Sequence, residues 1–508
     1  MKTSPSTPVK NKTGRKAQSK TKPLFQVYLR SLGCPKNRVD SEVMLAALAK
    51  NRHLKWEVTP HPQKAQLIII NTCAFIDAAQ EESVNTILEL AAYKTKTKSP
   101  LLIVTGCLEQ RFAHDLPQLL PEVDLFLKAE DQPFLDRFIQ VKDNALILKH
   151  PPFAKNQTLK AKNKNRIKSN DNKNKNKNKN LNDSLNNPNN IRPYYATHAL
   201  PRLLSTASGS AWLKIAERCN RRCTFCAIPY FKGGYVSREV EVIKQEAIDL
   251  VKQGIVEINL VAQDLSYYGT DLGLKNGLIH LLKTLETIPG LRWIRLLYIY
   301  PEGITPELIN FLKESQKVCP YLDIPIQHLS DKILQAMGRR IKAREIKQRI
   351  LKLHKEIPHI ALRTSILVGF PGEEEDDLEL LIQGIKELQF DHLGVFAYSP
   401  QAETPAAKLP HQVPEKIKNK RQKLIYRVQQ KFMQQRRKGL KGKTIPAILE
   451  GRHPETELLL QGRLITQAPE VDEKVIITQL QRPHQAGDII NLTITKVTAK
   501  EMVGEEAN

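Results

Sequence analysis

Short, continuous apolar runs alternate with segments of helical spacing along the first part of the chain. The runs Phe25–Leu29, Leu67–Asn71 and Leu101–Thr105 predict three strands, because each is strand-sized and bounded by polar residues. Strands that are apolar throughout are typical of a parallel sheet covered by helices on both faces. The pattern therefore predicts an α/β multidomain protein with an open parallel α/β domain over residues 24–150.

The same alternation resumes after a long polar stretch. Five or six β/α units between residues 205 and 436 indicate either a partial (β/α) barrel of the TIM kind or a doubly wound sheet. A long polar and basic helix, Val413–Leu440, is predicted near the end of this part. The predicted strands are Ala211–Ala216, Ile255–Val261, Trp293–Ile299, Tyr321–Ile324, Ala361–Val368 and Leu393–Tyr398.

The last part of the chain changes to short strands separated by glycine turns. Four are predicted, at Thr444–Glu450, Glu457–Gln461, Val475–Leu480 and Ile489–Val497. Strands of this length and spacing are typical of a small closed sheet. We therefore predict a small all-β barrel over residues 437–508.

Positive charge is concentrated in two segments that have too few apolar residues to form a core. Of the formal net charge of +25, residues 1–22 and 155–192 together supply 16. We predict that residues 1–23 are a disordered tail and that residues 151–204 are a Lys/Asn-rich linker. Such tracts either contact RNA phosphates without sequence preference or are simply solvated. The acid-free tail also leaves an organellar transit segment open as an interpretation.

Cysteine content and hydropathy limit the class of protein. The chain has 508 residues and only seven cysteines, which excludes a small disulfide scaffold and indicates a reducing, cytoplasmic compartment. No apolar run approaches the ~20 residues of a membrane helix, so we expect no membrane partner.

Three cysteines form one loop, Cys219-Asn-Arg-Arg-Cys223-Thr-Phe-Cys226, directly after a predicted strand. We call them the loop cysteines. Three thiolates at this spacing suit an iron–sulfur cube with one iron left open, where S-adenosylmethionine (SAM) can be chelated and reductively cleaved. Two other interpretations are a zinc site whose fourth ligand comes from elsewhere and three unligated buried thiols.

Three further cysteines share one local setting although they lie far apart in the sequence. Cys34, Cys73 and Cys107, the strand-end cysteines, each follow a predicted strand in the runs SLGC, NTC and TGC. The carboxyl ends of parallel strands line one crevice, so we expect these thiols to converge on a second cluster. The alternative is that they are ordinary buried cysteines, as we predict for Cys319.

Several stretches around these cysteines resemble the methylthiotransferases of the radical SAM superfamily. The resemblance implies an amino-terminal cluster domain, a radical SAM core and a carboxy-terminal TRAM barrel, and it covers Leu24 to about Glu505 without the Lys/Asn-rich insert. The stretches are SLGCPKNRVDSE (31–42), NTCAFIDAAQEES (71–83), LKIAERCNRRCTFCAIPYFKGGYVSRE (213–239), EINLVAQDLSYYGTDL (257–272), WIRLLYIYP (293–301), LDIPIQHLSDKIL (322–334), LVGFPGEEE (367–375) and GRLITQAPEVDEKV (462–475).

The resemblance implies two [4Fe–4S] clusters and SAM as cofactors. The loop cysteines would hold the radical cluster, and the strand-end cysteines the auxiliary cluster that supplies or carries the inserted sulfur. Gly369 in LVGFPGE would pack against the adenosine of SAM. Glu257 and Gln263, predicted at the two ends of strand Ile255–Val261, would face the same barrel mouth; otherwise they are a solvated acid and a loop polar group. No catalytic side chain beyond the cluster ligands is assigned.

One residue departs from the family pattern. Arg218 stands immediately before the first loop cysteine, where the family usually has glycine. The added bulk and charge leave the ligands intact, but they would alter the backbone geometry or raise the potential of the cluster.

Two features distinguish the family branch that methylthiolates an aspartate of small-subunit ribosomal protein S-twelve from the MiaB type, which modifies an adenosine in tRNA. The run Cys34-Pro35-Lys36-Asn37 resembles the protein-modifying branch. Residues 440–508 contain eight Lys/Arg and ten acids, whereas an RNA-binding barrel should be basic. We therefore predict methylthiolation of the aspartate β-carbon. The alternatives are tRNA modification and a non-enzymatic ribosome-binding module with structural zinc.

The implied reaction uses two molecules of SAM. One methylates a sulfur at the auxiliary cluster, and the second is cleaved so that its radical removes a hydrogen from the aspartate. The implied partners are ribosomal protein S-twelve as substrate, an electron donor such as flavodoxin or ferredoxin, and ribosomal RNA through the basic segments.

Overall fold

The structure, a computed structural model, describes residues 23–94, 100–149, 192–205, 209–498 and 501–507. Nearly all of the predicted tail and most of the predicted linker lie outside these residues. No helix within the described ranges combines the length and the hydropathy that crossing a bilayer requires.

The described part of the first domain contains a parallel five-stranded sheet, four α-helices and a hairpin. Its elements are β1 (Leu24–Ser31), α1 (Pro35–Ala49), β2 (Lys55–Val58), β3 (Leu67–Thr72), α2 (Asp77–Ala91), β4 (Leu101–Gly106), α3 (Cys107–Phe112), α4 (Leu116–Leu119), β5 (Leu125–Leu127), β6 (Ile139–Lys142) and β7 (Ala145–Leu148). The sheet order is β2-β1-β3-β4-β5, so strand addition changes direction between β1 and β3. Every residue of β3 is buried, which explains its continuous apolar run.

The second domain is a parallel sheet of six strands flanked by helices. Its elements are α5 (Tyr194–Thr197), β8 (Ser210–Lys214), β9 (Ala216–Glu217), α6 (Ile228–Lys232), β10 (Val236–Ser237), α7 (Val240–Lys252), β11 (Glu257–Val261), α8 (Gly277–Glu286), β12 (Trp293–Leu296), α9 (Pro306–Glu314), β13 (Val318–Asp323), α10 (Asp331–Ala336), α11 (Ala343–Glu356), β14 (Ala361–Val368), α12 (Glu375–Leu388), β15 (His392–Ala397) and α13 (Glu415–Lys438). The sheet runs β8-β11-β12-β13-β14-β15 in chain order and does not close. This order is that of a partial (β/α) barrel. The doubly wound alternative is wrong, because that fold requires a reversal of strand order.

The third domain is a closed five-stranded barrel. Its strands are β16 (Thr444–His453), β17 (Thr456–Leu464), β18 (Val475–Gln479), β19 (Ile489–Val497) and β20 (Met502–Glu506), in the order β16-β17-β18-β20-β19. Four of these strands were predicted and β20 was not. Strand β20 is short and acidic, and it pairs in parallel with β18 and antiparallel with β19. Its own residues therefore do not predict a strand, which forms only through pairing with these two.

The small barrel covers the amino-terminal ends of the β8–β15 strands. Trp212 and Trp293 of the partial barrel pack with Ile448 and Ala468 of the small barrel in one apolar cluster. Since one end of the partial barrel is closed in this way, the opposite end, where the strands finish, is the opening. We call this carboxyl end the mouth.

Buried charges join the first domain to the partial barrel. Arg202 donates from Nε to Glu42 of α1 at 3.0 Å and from Nη1 to Glu246 of α7 at 3.2 Å. The backbone N–H of Ser205 donates to the other Glu42 oxygen at 2.9 Å. Helix α1 begins directly after Cys34, so this network holds the strand-end cysteines in a defined position relative to the mouth.

Candidate iron–sulfur and SAM site

The strand-end cysteines lie where β1, β3 and β4 finish, around the point at which the strand order reverses. Cys34 precedes α1, Cys73 follows β3, and Cys107 begins α3. At Gly33, where φ is +84°, an added Cβ would lie 2.7 Å from the Cβ and 2.9 Å from the Sγ of Cys73. Only glycine therefore lets the Cys34 loop approach Cys73 this closely.

Buried polar side chains tie these strand ends together. Asn37 donates from Nδ2 to the carbonyl oxygens of Leu32 at 2.8 Å and Thr72 at 2.9 Å. Asn71 donates to the Asn37 carbonyl at 2.7 Å, and the Thr72 hydroxyl donates to the Thr105 carbonyl at 2.5 Å. The backbone that presents the three thiols is thus fixed by hydrogen bonds and does not depend on the loops alone.

The loop cysteines follow β9 at the mouth of the partial barrel. The backbone N–H of Arg221 donates to Cys219 Sγ at 3.3 Å, and Cys223 Sγ lies 3.6 Å from the hydroxyl of Tyr300. Two guanidinium groups lie over the phenol ring of Tyr300, that of Arg221 4.4 Å and that of Arg339 4.2 Å from the ring centroid. These contacts hold the ring so that its hydroxyl lies beside the Cys223 thiol.

The two thiol sets lie near each other, because α3, which begins at Cys107, packs against α6, which follows Cys226. Phe231 of α6 packs against the apolar cluster that contains Cys107. Burial raises the pKa of Cys107, and it raises the pKa of Cys219 to about 11 and of Cys226 to about 12. The positive charge of Lys36 opposes this rise at all three thiols. The Lys36 ammonium thus acts on thiols of both sets. Lys232, which lies 3.7 Å from Glu217, also opposes the rise at Cys107.

The donor groups fit iron–sulfur chemistry. Each set offers three thiols, the ligand type that iron–sulfur clusters use. In the described part of the chain, no three His, Cys, Asp or Glu side chains close on a single metal ion, as one structural zinc would require. A cube distributes its ligands over separate irons, so its three thiolates need not converge on one atom.

Gln263 is placed where a ligand could bind. It lies just beyond β11 at the mouth, and both atoms of its side-chain amide are buried without a hydrogen-bond partner among the described residues. A buried amide without partners is costly. A polar ligand at the mouth would satisfy it.

Glu257 is not at the mouth, so the prediction that it faces the mouth with Gln263 is wrong. The strand begins at Glu257, which places this carboxylate at the closed end of the barrel. There it accepts hydrogen bonds from Arg295 at 2.9 Å and from Arg463 of the small barrel at 3.2 Å. The carboxylate belongs to a junction between domains and not to a cofactor site.

Gly369 follows β14 at the mouth with φ +70°, but the space that a side chain would take at this position is already occupied. An added Cβ would collide with the side chain of Lys418 from α13, and the Gly369 N–H donates to Glu373 at 2.8 Å. Packing against α13 therefore explains why this position requires glycine.

Arg218 adopts φ +70°, in the left-handed region that glycine tolerates best. Its guanidinium extends to 3.9 Å from the position a Cβ would take at Gly233. The chain thus keeps the glycine-type backbone before Cys219 while it carries an arginine side chain there.

Four residues around the thiols were not predicted as site residues: Lys36, Lys232, Tyr300 and Arg339. Three of them, Lys36, Lys232 and Tyr300, lie inside stretches that carry the family resemblance, but the resemblance did not indicate a role for these residues. Arg339 contacts Tyr300 from the loop that follows α10, and no local pattern indicates that contact.

Comparison with known proteins agrees with this architecture. Residues 26–128 match the Uncharacterized protein family UPF0004, residues 213–384 match the Radical SAM superfamily, and residues 442–506 match the TRAM domain. A parallel cluster domain, a partial radical SAM barrel and a TRAM barrel in this order define a radical SAM methylthiotransferase. Enzymes of this class use SAM and [4Fe–4S] clusters, and these are the cofactors of the chain.

Curated relatives place the chain more narrowly. The protein "Ribosomal protein uS12 methylthiotransferase RimO" of Geotalea uraniireducens (strain Rf4) is 42% identical over 480 residues, covering 94% of this chain and 98% of the relative. The protein of the same name from Acetivibrio thermocellus is 40% identical over 483 residues, covering 95% and 98%. The chain belongs to the RimO family.

Proposed function

We propose that this chain transfers a methylthio group to the β-carbon of an aspartate in ribosomal protein uS12. The observation that carries the proposal is similarity over nearly the whole length to relatives named for uS12. The run Cys34-Pro35-Lys36-Asn37 and the excess of acids in the TRAM barrel support a basic protein substrate in preference to tRNA.

In this proposal the loop cysteines bind the radical cluster and the strand-end cysteines bind the auxiliary cluster. When bound, the clusters and SAM supply the sulfur, the methyl group and the radical that activates the C–H bond. The Arg202–Glu42 ion pair joins the two domains that carry the thiol sets. The chain also keeps water away, since Cys107, Cys219 and Cys223 are at most 7% exposed.

Gln263 and the residues around Gly369 are proposed to line the SAM site. Gln263 offers a complete, unsatisfied amide at the mouth, and the backbone after β14 lies at the same end of the barrel. Glu257 is not included.

Two further partners complete the proposal. An electron donor such as flavodoxin or ferredoxin would reduce the radical cluster, in the cytoplasm. The basic residues 1–22 and 155–192, whose composition suits RNA phosphates, would contact ribosomal RNA.

An anaerobic competition tests the substrate. Reconstituted enzyme, reductant and SAM are given uS12 and unmodified tRNA together, and both products are examined by mass spectrometry. The expected result is a methylthio mass gain on uS12 alone. A gain on tRNA alone would overturn the substrate assignment and leave the two-cluster chemistry standing. The absence of iron and sulfide after reconstitution would instead favour a zinc-containing binding module.

A further inference from the structure

Helix α13 carries a stripe of positive charge that no acid among the described residues neutralises. The helix contains ten Lys and Arg residues and one acid. Six of the ten are exposed and form no ion pair with any residue that the structure describes. We call these six the α13 ridge: Lys416, Lys420, Lys423, Arg427, Lys431 and Lys438.

The ridge occupies one face of the helix. At roughly 3.6 residues per turn its six side chains fall within an arc of about 80° and extend over about 33 Å of the helix axis. A long, narrow row of like charges costs self-repulsion. A row of this kind therefore favours an elongated anion over a compact one.

The acids next to α13 are already engaged by its four other cations. Three of those cations are buried and the fourth is half-buried, on the side or the end of the helix that faces the protein. Their ion pairs are Lys418–Glu415, Arg421–Glu373, Arg436–Asp391 and Arg437–Glu473. The charge of the ridge is therefore available to an external partner.

The ridge connects the two ends of the partial barrel. Near its start, Lys418 packs over Gly369 and donates to the Tyr398 carbonyl at 2.7 Å, both at the mouth. Near its end, Arg437 pairs with Glu473 in the TRAM domain. An anion that lies on the ridge thus runs from the closed end of the barrel up to the site where substrate must enter.

We propose that the α13 ridge binds the sugar–phosphate backbone of RNA. Phosphates repeat along an RNA strand as the cations repeat along the ridge, and Tyr426, which is 50% exposed beside the ridge, offers a surface on which a base can stack. The TRAM barrel has no such excess of positive charge. The inference rests on the proposed function, because a ribosomal protein substrate is surrounded by RNA.

An acidic electron donor is the competing occupant. Such a protein must approach the clusters closely, whereas most of the ridge leads away from the mouth toward the TRAM barrel. The geometry therefore favours RNA, and binding of the electron donor to the ridge is an alternative result that the test can detect.

The test removes three charges from the middle of the ridge in the full-length enzyme, with Lys423→Gln, Arg427→Gln and Lys431→Gln combined. Binding to a short labelled RNA hairpin is measured at several salt concentrations. We expect affinity to fall at least about tenfold, and the slope of log K against log salt to become shallower by about two to three. The matched control combines Arg344→Gln, Lys352→Gln and Lys355→Gln on α11, which removes the same charge from another exposed face.

Equal salt slopes in the ridge variant, the control and the wild type would overturn the proposal. So would a loss of RNA binding only when the basic residues between 155 and 192 are neutralised, or slower reduction by flavodoxin with RNA binding unchanged. Melting temperature confirms that each variant is folded. Turnover of a free uS12 peptide is measured separately. We expect it to be unchanged, and if it is absent in the wild type the proposed function fails independently of RNA binding.

Discussion

Glu257 and Arg463 form a fully buried ion pair that joins the partial barrel to the TRAM barrel. Arg463 Nη1 donates to Glu257 Oε1 at 3.2 Å, and its Nη2 pairs with the other carboxylate oxygen. Arg295 donates to the same carboxylate at 2.9 Å, and none of the three side chains is exposed. This ion pair therefore holds the TRAM barrel against the amino-terminal ends of the strands of the radical SAM barrel.

Replacing Glu257 by Gln should destabilise the protein strongly. Two guanidinium groups would remain buried without their carboxylate, which costs about 3–5 kcal/mol. Thermal unfolding measures the loss. The control is Glu457→Gln, which breaks the exposed Arg452–Glu457 pair and should change stability by less than about 1 kcal/mol. Equal effects of the two substitutions would contradict the interpretation.

The same carboxylate should make stability depend on acid pH. Burial alone would raise the pKa of Glu257, but the charges of Arg463 and Arg295 outweigh it and lower the pKa to about 2. The unfolded chain takes up this proton near pH 4.5, whereas the folded chain does not. The stabilisation is therefore complete above that pH and is lost as pH falls toward 2. Denaturant unfolding at several pH values should show that the free energy of unfolding falls more steeply with decreasing pH in the wild type than in Glu257→Gln.

Substitutions in the two cysteine sets should block different steps of the reaction. Cys219→Ala should abolish SAM cleavage, whereas Cys73→Ala should spare cleavage and stop sulfur transfer. Each variant should retain about half of the wild-type iron. Cys319→Ala is the control, because this buried thiol lies in β13, outside both sets, and should change neither iron content nor cleavage. Equal loss of cleavage in both sets would refute the division of labour.

Tyr300→Phe should lower the reduction potential of the radical cluster. The hydroxyl lies 3.6 Å from Cys223 Sγ, and a hydrogen bond to a ligand sulfur stabilises the reduced cluster. A bond of about 1 kcal/mol corresponds to a shift on the order of 40 mV. A redox titration followed by electron paramagnetic resonance measures it. Tyr268→Phe, whose hydroxyl donates to the Arg238 carbonyl, should leave the potential unchanged; a matching shift there would count against a specific role for Tyr300.

Two substitutions at Arg218 should separate backbone strain from charge. Arg218→Gly relieves a left-handed conformation with φ +70° and should leave the protein about 1 kcal/mol more stable than Arg218→Ala, which keeps the strain. Both remove the same positive charge, so both should lower the cluster potential equally. Melting temperatures and redox titrations of the two variants check this. Equal stability would show that the backbone relaxes at this position.

Local sequence patterns predicted an element correctly wherever the residues that determine it are neighbours in the chain. The continuous apolar runs predicted β1, β3 and β4, and the glycines before Cys34 and Cys107 adopt φ +84° and +98°, as tight turns at strand ends require. The edge strands β2 and β5 and the last strand β20 were not predicted. They are three to five residues long, and each contains fewer apolar residues than the runs that predicted the equally short β12 and β18.

By itself, the sequence determined the class of three domains, the parallel sheets, the two sets of three cysteines and the family. These depend on spacing, hydropathy and motif, which are properties of neighbouring residues. Only the tertiary structure decided that Glu257 serves a domain junction, since its partner Arg463 lies 206 positions away. The tertiary structure alone also packed α3 against α6, which brings the two thiol sets near each other. It left six cations of α13 exposed and without an ion pair among the described residues. Contacts between distant segments form when whole domains pack, and no local pattern encodes them.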